Sequence, residues 1–328
     1  MRYVVYGAGA IGGSIGGALL SAGYDVVMIA RGTHLDVMKS DGLIVRSPDG
    51  EVRHRVRAFA DPLDAGIGAD DVVFLSVKTQ DSAGALAMLR DASGVDTAVV
   101  CAQNGVENER LALRLFRNVY GMYVDLPAEH IEPGAVEMMF GVPHGAIDLG
   151  RYPSGSDDRA AGIAADLQRA GFASRAVPEI MWWKYGKLVS GLGNAIKAVS
   201  GQGERYDAIV AQAKQEAIAC MAAAGLRYAD DEEQGRRRQA VPGHVGPKGA
   251  PGSGWQSLAR ATGRIETDYL NGEIVLLGRL HGIPTPVNET IQGVACSMAR
   301  RRERPGSFPL SQLDTAIQAA IATRVDVG

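Results

Sequence analysis

The chain has 328 residues, of which 46% are apolar and 22% are charged, and its formal net charge is -3. These values are ordinary for a folded globular protein, and the length predicts two domains with separate cores. A net charge so close to zero gives no general attraction to nucleic acid or to an acidic membrane surface, so we expect neither as a partner.

The cysteines exclude two further classes of protein. Cys101, Cys220 and Cys296 are odd in number and widely spaced, which fits neither a disulfide framework nor a zinc site, and we expect no metal. The chain begins directly with a strand pattern rather than a signal peptide, and no apolar run approaches the roughly 18 residues that a membrane span needs. The cytoplasm is therefore the predicted compartment.

The first 30 residues predict one compact unit of secondary structure. Residues 3–6 form an aromatic and β-branched run typical of a strand buried on both faces. The glycine-rich stretch 7–12 follows, and a helix of small residues continues to Ala22. Residues 25–30 then predict a second buried strand. Such a strand-helix-strand unit requires a right-handed parallel crossover.

The later elements divide the chain in two. A hairpin is expected with Pro48-Asp49-Gly50 as its turn, and a helix is expected over 157–170. The remaining apolar runs predict further strands of the same sheet, at 72–77, 98–102, 119–124, 136–140, 146–149 and 173–177. After Pro178 only helical periodicity remains. It covers 179–200 and 205–224, and it resumes after a polar stretch at 229–254. We predict an α/β fold with an N-terminal Rossmann-type dinucleotide-binding domain (1–177) and a C-terminal all-helical domain (178–328).

The glycine-rich stretch has the spacing G-x-G-x-x-G in the context that makes this motif specific, between a strand and a helix. The first glycine permits the tight turn, the second lets the backbone approach a pyrophosphate, and the third lets the helix pack on the sheet. The phosphates would meet the free N–H groups at the start of the helix. The predicted cofactor-binding residues are Gly7, Ala8, Gly9, Ala10, Ile11 and Gly12.

The end of the second strand indicates which dinucleotide is bound. Enzymes that prefer NAD place a carboxylate there to hold the ribose 2′-hydroxyl, and that charge would repel a 2′-phosphate. Here the strand ends in Ala30-Arg31-Gly32, and the nearest acid, Asp25, is at its beginning. A guanidinium pairs well with a phosphate. Arg31 therefore favours NADPH over NADH.

Several motifs in this order resemble the ketopantoate reductase family. They are the glycine motif through Arg31, then Val77-Lys78-Thr79, Gln103-Asn104-Gly105, the stretch Trp183 to Asn194, Glu266-Thr267-Asp268-Tyr269-Leu270-Asn271-Gly272 and His281-Gly282-Ile283-Pro284-Thr285-Pro286. The resemblance covers nearly the whole chain. It implies reduction of 2-dehydropantoate (ketopantoate) to pantoate, as in pantothenate biosynthesis, with NADPH as the hydride donor.

The resemblance also assigns site residues. Lys78 and Asn104 follow buried strands, and matching family residues lie near cofactor and substrate. The catalytic lysine of the family is followed by Leu with an amide shortly beyond, which fits Lys187 rather than Lys184. A lysine that can donate a proton stabilises the alkoxide that hydride addition creates. Substrate binding is expected from Glu266, Asn104, Asn194 and Ser253.

Two positions depart from the family pattern. Gly191 stands where family members usually carry asparagine, and Gly254 where they usually carry the second of two serines. A lost hydrogen bond to a buried substrate costs on the order of 1–3 kcal/mol. Two alternatives therefore stay open: an NADPH-dependent reductase of a different, bulkier 2-oxo acid, and an NADPH-sensing protein without catalysis. The sequence leaves monomer and homodimer both open.

Overall fold

The computed structural model describes residues 1–130, 132–239, 241 and 252–325, which form two compact units. The first unit comprises Met1–Lys184 and a segment that begins at Asp230, and the second comprises Tyr185–Ala229 and the described residues from 252 onward. This division differs from the predicted limits, 1–177 and 178–328. The difference arises because side chains of both added segments are buried in the first unit: Lys184 pairs with Glu109, and Arg237 with Asp148.

Twelve strands occur in the described part of the chain. In chain order they are β1 (Arg2–Tyr6), β2 (Asp25–Ile29), β3 (Leu43–Ser47), β4 (Gly50–His54), β5 (Arg57–Phe59), β6 (Val72–Leu75), β7 (Ala98–Cys101), β8 (Asn118–Asp125), β9 (Ala128–Glu129), β10 (Ala135–Met138), β11 (Ala146–Arg151) and β12 (Ala173–Ala176). All of them lie in the first unit.

The helices lie in both units. They are α1 (Ala10–Ser21), α2 (Gly32–Ser40), α3 (Thr79–Ser93), α4 (Asn108–Leu113), α5 (Asp158–Arg169), α6 (Ile180–Ser190), α7 (Gly193–Ser200), α8 (Tyr206–Ala223), α9 (Asp231–Gln239), α10 (Ser253–Ala259), α11 (Asn271–His281), α12 (Pro286–Arg301) and α13 (Leu310–Val325). Short 3₁₀ turns cover Pro62–Ala65 and Glu266–Tyr269. None of the helices in the described ranges is both long enough and apolar enough to cross a membrane.

Eight strands form the main sheet, in the order β12-β11-β8-β7-β6-β1-β2-β5. The segment β5-β2-β1-β6-β7-β8 is parallel throughout, which is the strand order of a doubly wound dinucleotide-binding fold. Residues of β1 point alternately into two cores, with Tyr3 and Val5 on one face and Val4 and Tyr6 on the other. The strand is therefore buried on both faces, and the predicted fold class is confirmed.

A second sheet of four strands, β4-β3-β10-β9, corrects one expectation. The run 136–140 was expected to extend the main sheet, but β10 pairs parallel with β3 instead. The glycines of α1 explain this placement. A Cβ atom at Gly13 would lie 2.6 Å from a methyl of Val136, and one at Gly17 would lie 2.3 Å from a methyl of Val45. The small sheet therefore packs directly on the backbone of α1.

The second unit is helical in its described part, as expected. One boundary inside it differs from the prediction, because the single helix expected over 179–200 is two helices, α6 and α7. The break falls at Gly191-Leu192. The buried side chain of Asn271 donates to the carbonyl of Leu192 at 3.4 Å, and that contact holds the break in place. Asn271 is thus a packing residue.

Candidate active site

The three glycines of the loop after β1 have different surroundings. Gly7 has a φ of +106°, and a Cβ there would lie 2.6 Å from the amide nitrogen of Val77. A Cβ at Gly12 would lie 2.2 Å from the carbonyl oxygen of Gly7, so only glycine lets α1 sit this close to the loop. Nothing lies within 4 Å of the Cβ position of Gly9, so this backbone faces open space.

The start of α1 suits the phosphates of a dinucleotide. The first bond inside the helix runs from the amide of Gly13 to the carbonyl of Gly9 at 2.7 Å, so the preceding amides have no acceptor within the helix. The first turn carries no acidic residue that would repel an anion. The open backbone at Gly9 is the cradle that a side chain would fill. The residues present therefore fit a pyrophosphate group.

Arg31 lies just after the end of β2, as expected, at the N-cap position of α2. Its side chain is 83% exposed and pairs with the carboxylate of Asp81 at 3.0 Å. Asp81 belongs to the first turn of α3. The sequence analysis missed this partner, because the two residues are 50 positions apart and come together only through the sheet. The guanidinium that the sequence predicts to bind a 2′-phosphate therefore already has one anionic neighbour.

Lys78 and Asn104 lie at the same edge of the sheet as the glycine loop. Leu75, the last residue of β6, is in register with Tyr6 on one side and Cys101 on the other, so the residues that follow these strands lie side by side. Lys78 caps α3 and is half-buried, and Asn104 is also partly exposed. The structure therefore brings together the predicted cofactor-side residues of the first unit.

Buried hydrogen bonds fix the loop that carries Asn104. Gln103 donates to Ser82 at 3.2 Å, Ser82 donates to Asn108 at 2.7 Å, and Asn108 donates to Thr79 at 3.2 Å. Thr79 and Ser82 are on the first two turns of α3, directly after Lys78. The positions of Lys78 and Asn104 are consequently fixed relative to each other.

Lys184 holds the same loop from the other side. Its side chain is 3% exposed, and its Nζ lies 2.5 Å from a carboxylate oxygen of Glu109, which is fully buried. The same Nζ donates to the carbonyl of Gln103 at 3.0 Å. Burial raises the pKa of Glu109, and the nearby Lys184 cation opposes that rise. Lys184 is therefore an internal counter-ion of the first unit, which its spacing in the sequence did not reveal.

In the second unit, three predicted substrate residues line one small pocket of about 10 Å³. Asn194 comes from α7, Ser253 from the start of α10, and Glu266 from the 3₁₀ turn before α11. Glu266 is only 8% exposed. These side chains come from segments up to 72 positions apart, and the fold places them on one surface. Gly254, one of the two departures from the family pattern, lines the same pocket.

Lys187 is half-buried on the last turns of α6, directly before the helix break. Its carbonyl accepts from the amide of Gly191 at 3.0 Å. A Cβ at Gly191 would lie 3.5 Å from the amide nitrogen of the Asn194 side chain. The missing family asparagine at 191 would thus stand beside the asparagine that this chain does have.

A charge that the sequence analysis missed lies near Glu266. Burial lowers the pKa of Arg260, and the carboxylate of Glu266 opposes that shift, so the two groups are within electrostatic reach of each other. Arg260 ends α10, six positions before Glu266. The signal available in the sequence, a basic residue in a polar loop, does not distinguish it from ordinary surface arginines.

A cavity of about 320 Å³ in the first unit contains none of the predicted residues; its lining consists of Arg175, Trp182, Trp183, Glu233, Arg236 and Arg237. The charges there already have partners. Arg175 and Arg237 share the buried carboxylate of Asp148, and Arg236 pairs with Glu232. The candidate binding sites are therefore the glycine loop, within the first unit, and the Glu266 pocket, within the second, rather than this cavity.

The strand order and the glycine loop define a class of protein, the dinucleotide-binding α/β enzymes with a Rossmann-type unit and a helical unit. Two family models match the chain: "Ketopantoate reductase PanE/ApbA" over residues 3–154 and "Ketopantoate reductase PanE/ApbA C terminal" over residues 189–298. The chain belongs to the ketopantoate reductase family. It is accordingly an oxidoreductase, and the predicted family is confirmed.

Individual relatives agree with this assignment. A 2-dehydropantoate 2-reductase of Archaeoglobus fulgidus is 29% identical over 88% of this chain and 95% of its own length. A crystal structure of a PanE/ApbA family ketopantoate reductase from Ralstonia eutropha JMP134 is 27% identical, with a TM-score of 0.78 over 92% of this chain and 99% of that one. D-mandelate dehydrogenase, solved with NADH and anilino(oxo)acetate, is 23% identical with a TM-score of 0.79, over 92% of this chain and 99% of that one, and shares the fold.

Proposed function

We propose that the protein reduces a 2-oxo acid with NADPH, and that 2-dehydropantoate is its first-choice substrate. The observation that carries this proposal is the convergence of Asn194, Ser253 and Glu266 on one pocket. They are the amide, hydroxyl and carboxylate that a small acid with a hydroxyl group and a carbonyl group would need as partners. A protein that only senses a dinucleotide has no use for such a pocket.

The first unit would hold the cofactor. The loop from Gly7 to Gly12 and the start of α1 receive the pyrophosphate, and Arg31 binds the 2′-phosphate. Lys78 and Asn104 lie at the carboxyl edge of the sheet, where ligands of open α/β folds bind. When bound, the nicotinamide supplies the hydride. NADPH is proposed over NADH because no carboxylate ends β2, although Asp81 reduces the positive charge available at Arg31.

The side chains of the second unit would handle the acid. Lys187 holds a proton at Nζ and gives it to the carbonyl oxygen as negative charge develops there. Glu266 accepts a hydrogen bond from the substrate hydroxyl, while Asn194 and Ser253 orient the remaining polar groups. The neighbouring Arg260 adds positive charge, which would favour an anionic substrate in this pocket.

A second candidate substrate is a bulkier 2-oxo acid, and Gly254 favours it. Glycine at this position removes the hydroxyl that the second serine of the family pattern would place in the pocket, and it leaves the pocket without that side chain. The relative that binds anilino(oxo)acetate shares only the fold with this chain, so its ligand serves here to choose test compounds. Aryl-substituted 2-oxo acids belong in the panel for that reason.

The test is a substrate panel followed by loss of NADPH absorbance. The panel contains 2-dehydropantoate, 2-oxoisovalerate (which lacks the hydroxyl that Glu266 would bind) and phenylglyoxylate. We expect kcat/KM to be highest for 2-dehydropantoate. A preference for phenylglyoxylate would establish the bulkier-acid reading instead. Tight NADPH binding without oxidation by any member would favour the sensor reading. The cytoplasmic location predicted from the sequence stays a prediction.

A further inference from the structure

The side chain of His34 bridges the phosphate loop and the small sheet. Its Nε2 lies 2.7 Å from the carbonyl oxygen of Ala8, the second residue of the loop. Its Nδ1 accepts a hydrogen bond from the amide of Gly134 at 2.8 Å. Gly134 precedes β10, the strand that packs on α1 through Val136. One imidazole thus connects the start of α2, the loop and the second sheet.

These two contacts determine the tautomer of His34. An amide N–H can only donate, so Nδ1 must be unprotonated. A carbonyl oxygen can only accept, so Nε2 must carry the hydrogen. The ring of His130 lies 4.1 Å away, centroid to centroid. Burial and the nearby His130 both lower the pKa of His34, which agrees with a neutral ring. The bridge therefore exists in one protonation state.

The rest of this corner is built tightly around the bridge. Gly134 has a φ of +78°, and a Cβ there would lie 2.3 Å from a methyl of Val37 on α2. A Cβ at Gly13 would lie 2.9 Å from the Ala8 carbonyl oxygen. The Ala8 carbonyl is consequently held between the backbone of α1 and the imidazole, with little freedom to turn.

We propose that His34 is a positioning residue that holds the phosphate loop in its dinucleotide-binding shape through the Ala8 carbonyl. The proposal rests on the assignment of this loop to the cofactor. A peptide whose carbonyl is fixed has its own N–H fixed as well, because the peptide unit is planar, so the Ala8 carbonyl sets the direction of the Gly9 amide. The amides that follow Ala8 are those that would meet the pyrophosphate. His34 itself does not need to touch the cofactor for this role.

Three substitutions separate the two bonds of His34. In His34→Asn the amide oxygen can replace Nδ1 and accept from Gly134, but nothing reaches Ala8. In His34→Gln the longer side chain can donate to Ala8, but the bond from Gly134 is lost. His34→Ala loses both. His54→Gln is the matched control, because His54 lies on β4 of the same unit and bonds the side chain of Ser21 at 2.9 Å.

The measurement is the Kd of each variant for NADPH, by titration of folded protein checked by circular dichroism. We expect His34→Ala and His34→Asn to bind about 3- to 10-fold more weakly, as for one lost hydrogen bond, and His34→Gln to recover most of the affinity. Adenosine 2′-phosphate, which has no pyrophosphate, should bind all variants alike. Unchanged NADPH affinity in His34→Asn would overturn the proposal, as would a Gln variant no better than Ala.

A pH series gives a readout that a purely structural role would not change. Protonated Nδ1 would face the Gly134 amide as a second donor, so NADPH affinity of the wild type should fall relative to His34→Gln as the pH falls through the lowered pKa of His34. Comparing the two proteins cancels titration of the ligand. The titratable group that acts on His34 is His130. The two glutamates of the small sheet, Glu129 and Glu137, face each other across β9 and β10. Burial and then the nearby Glu137 raise the pKa of Glu129.

The outcomes distinguish this inference from the proposed function. If the wild type binds neither NADPH nor NADH, the assignment of the loop to a cofactor is wrong, and the role of His34 falls with it. If the wild type binds NADPH and the fall in NADPH affinity at low pH is the same in His34→Gln, only the role of His34 is wrong. Thermal unfolding of the same variants separates loss of affinity from loss of fold.

Discussion

The glycine loop of the first unit and the Glu266 pocket of the second differ in how strongly steric contacts limit the residue type at each position. At the loop, backbone sterics leave little choice: a Cβ at Gly7 or Gly12 would lie within 2.6 Å of backbone atoms. In the pocket, a Cβ at Gly254 would make ordinary contacts, the nearest at 3.4 Å from the Cβ of Ala198. Only glycine is allowed at Gly7 and Gly12 of the loop, whereas the residue at position 254 of the pocket can change without disturbing the fold.

This difference teaches where specificity can change in such an enzyme. The loop would recognise a pyrophosphate through backbone amides, which every residue except proline carries, so its chemistry is preserved as long as its shape is. The pocket would recognise a substrate through side chains, and each of these could be replaced at the cost of one hydrogen bond. The identity of the cofactor class is therefore more firmly set than the identity of the acid.

The largest effect is expected at Lys187. Removing the proton donor in Lys187→Ala should reduce kcat by roughly 10²–10⁴-fold, with little change in the Kd for NADPH, which the first unit would bind. Steady-state kinetics and a separate binding titration measure the two quantities. Lys197→Ala, on α7 of the same unit, is the control and should keep most of the activity. A Lys187 variant with near-normal kcat would mean that lysine catalysis is wrong.

Lys184 is the comparison residue in the first unit, and its loss should affect stability. Lys184→Ala leaves the carboxylate of Glu109 buried without its counter-ion, which typically costs about 3–5 kcal/mol of unfolding free energy. Denaturant unfolding measures this loss. The double variant Lys184→Met/Glu109→Gln removes both charges and should recover much of it. If Lys184→Ala alone is as stable as the wild type, the ion pair contributes nothing.

A smaller effect is expected at Arg31, and it tests the cofactor side of the comparison. The wild type should bind NADPH at least about tenfold more tightly than NADH, and Arg31→Ala should lose most of that preference, roughly 1–3 kcal/mol. Asp81→Asn should shift the preference in the opposite direction, because it frees the guanidinium from its carboxylate. Equal affinity of the wild type for both dinucleotides would contradict the assignment.

The smallest effect is expected in the pocket. Gly254→Ser adds a hydroxyl where there is room for it, so the KM for 2-dehydropantoate should fall by about fivefold while larger acids bind less well. Gly293→Ser is the control, since nothing lies within 4 Å of the Cβ position of Gly293 on α12. A rise in KM for 2-dehydropantoate in the Gly254 variant would show that the glycine is needed for this substrate.

Most of the first unit was predictable because its signals are local. The glycine spacing, the buried strands and the residues after them lie within short windows, and the strand register then brings Lys78 and Asn104 to one edge. The second sheet was not predictable, since β10 pairs with β3 some 90 positions earlier, and its apolar pattern fits either sheet. The break between α6 and α7 was missed because Gly191 interrupts no periodicity.

The candidate site divides in the same way. Of the residues that the family resemblance named, Asn194, Ser253 and Glu266 line one pocket, and Lys78 and Asn104 follow neighbouring strands at one edge of the sheet. The residues that contact the predicted site residues or their loops do not follow from any spacing in the sequence. Asp81 pairs with Arg31, Lys184 donates to the carbonyl of Gln103, and His34 bonds the carbonyl of Ala8. Each of these contacts joins segments separated by 26 to 81 positions. Such pairs are set by tertiary packing, which a single sequence does not display.

The ion pair of Arg237 with Asp148 has a consequence for the order of synthesis. The carboxylate is fully buried on β11, and its bidentate partner on α9 is translated 89 residues later. At about 5–20 residues per second, the Asp148 carboxylate is synthesised roughly 4–18 seconds before Arg237. During that time Arg175, which is translated earlier and is more exposed, is the cation that can pair with it. The first unit can therefore become complete only after the opening helices of the second have left the ribosome.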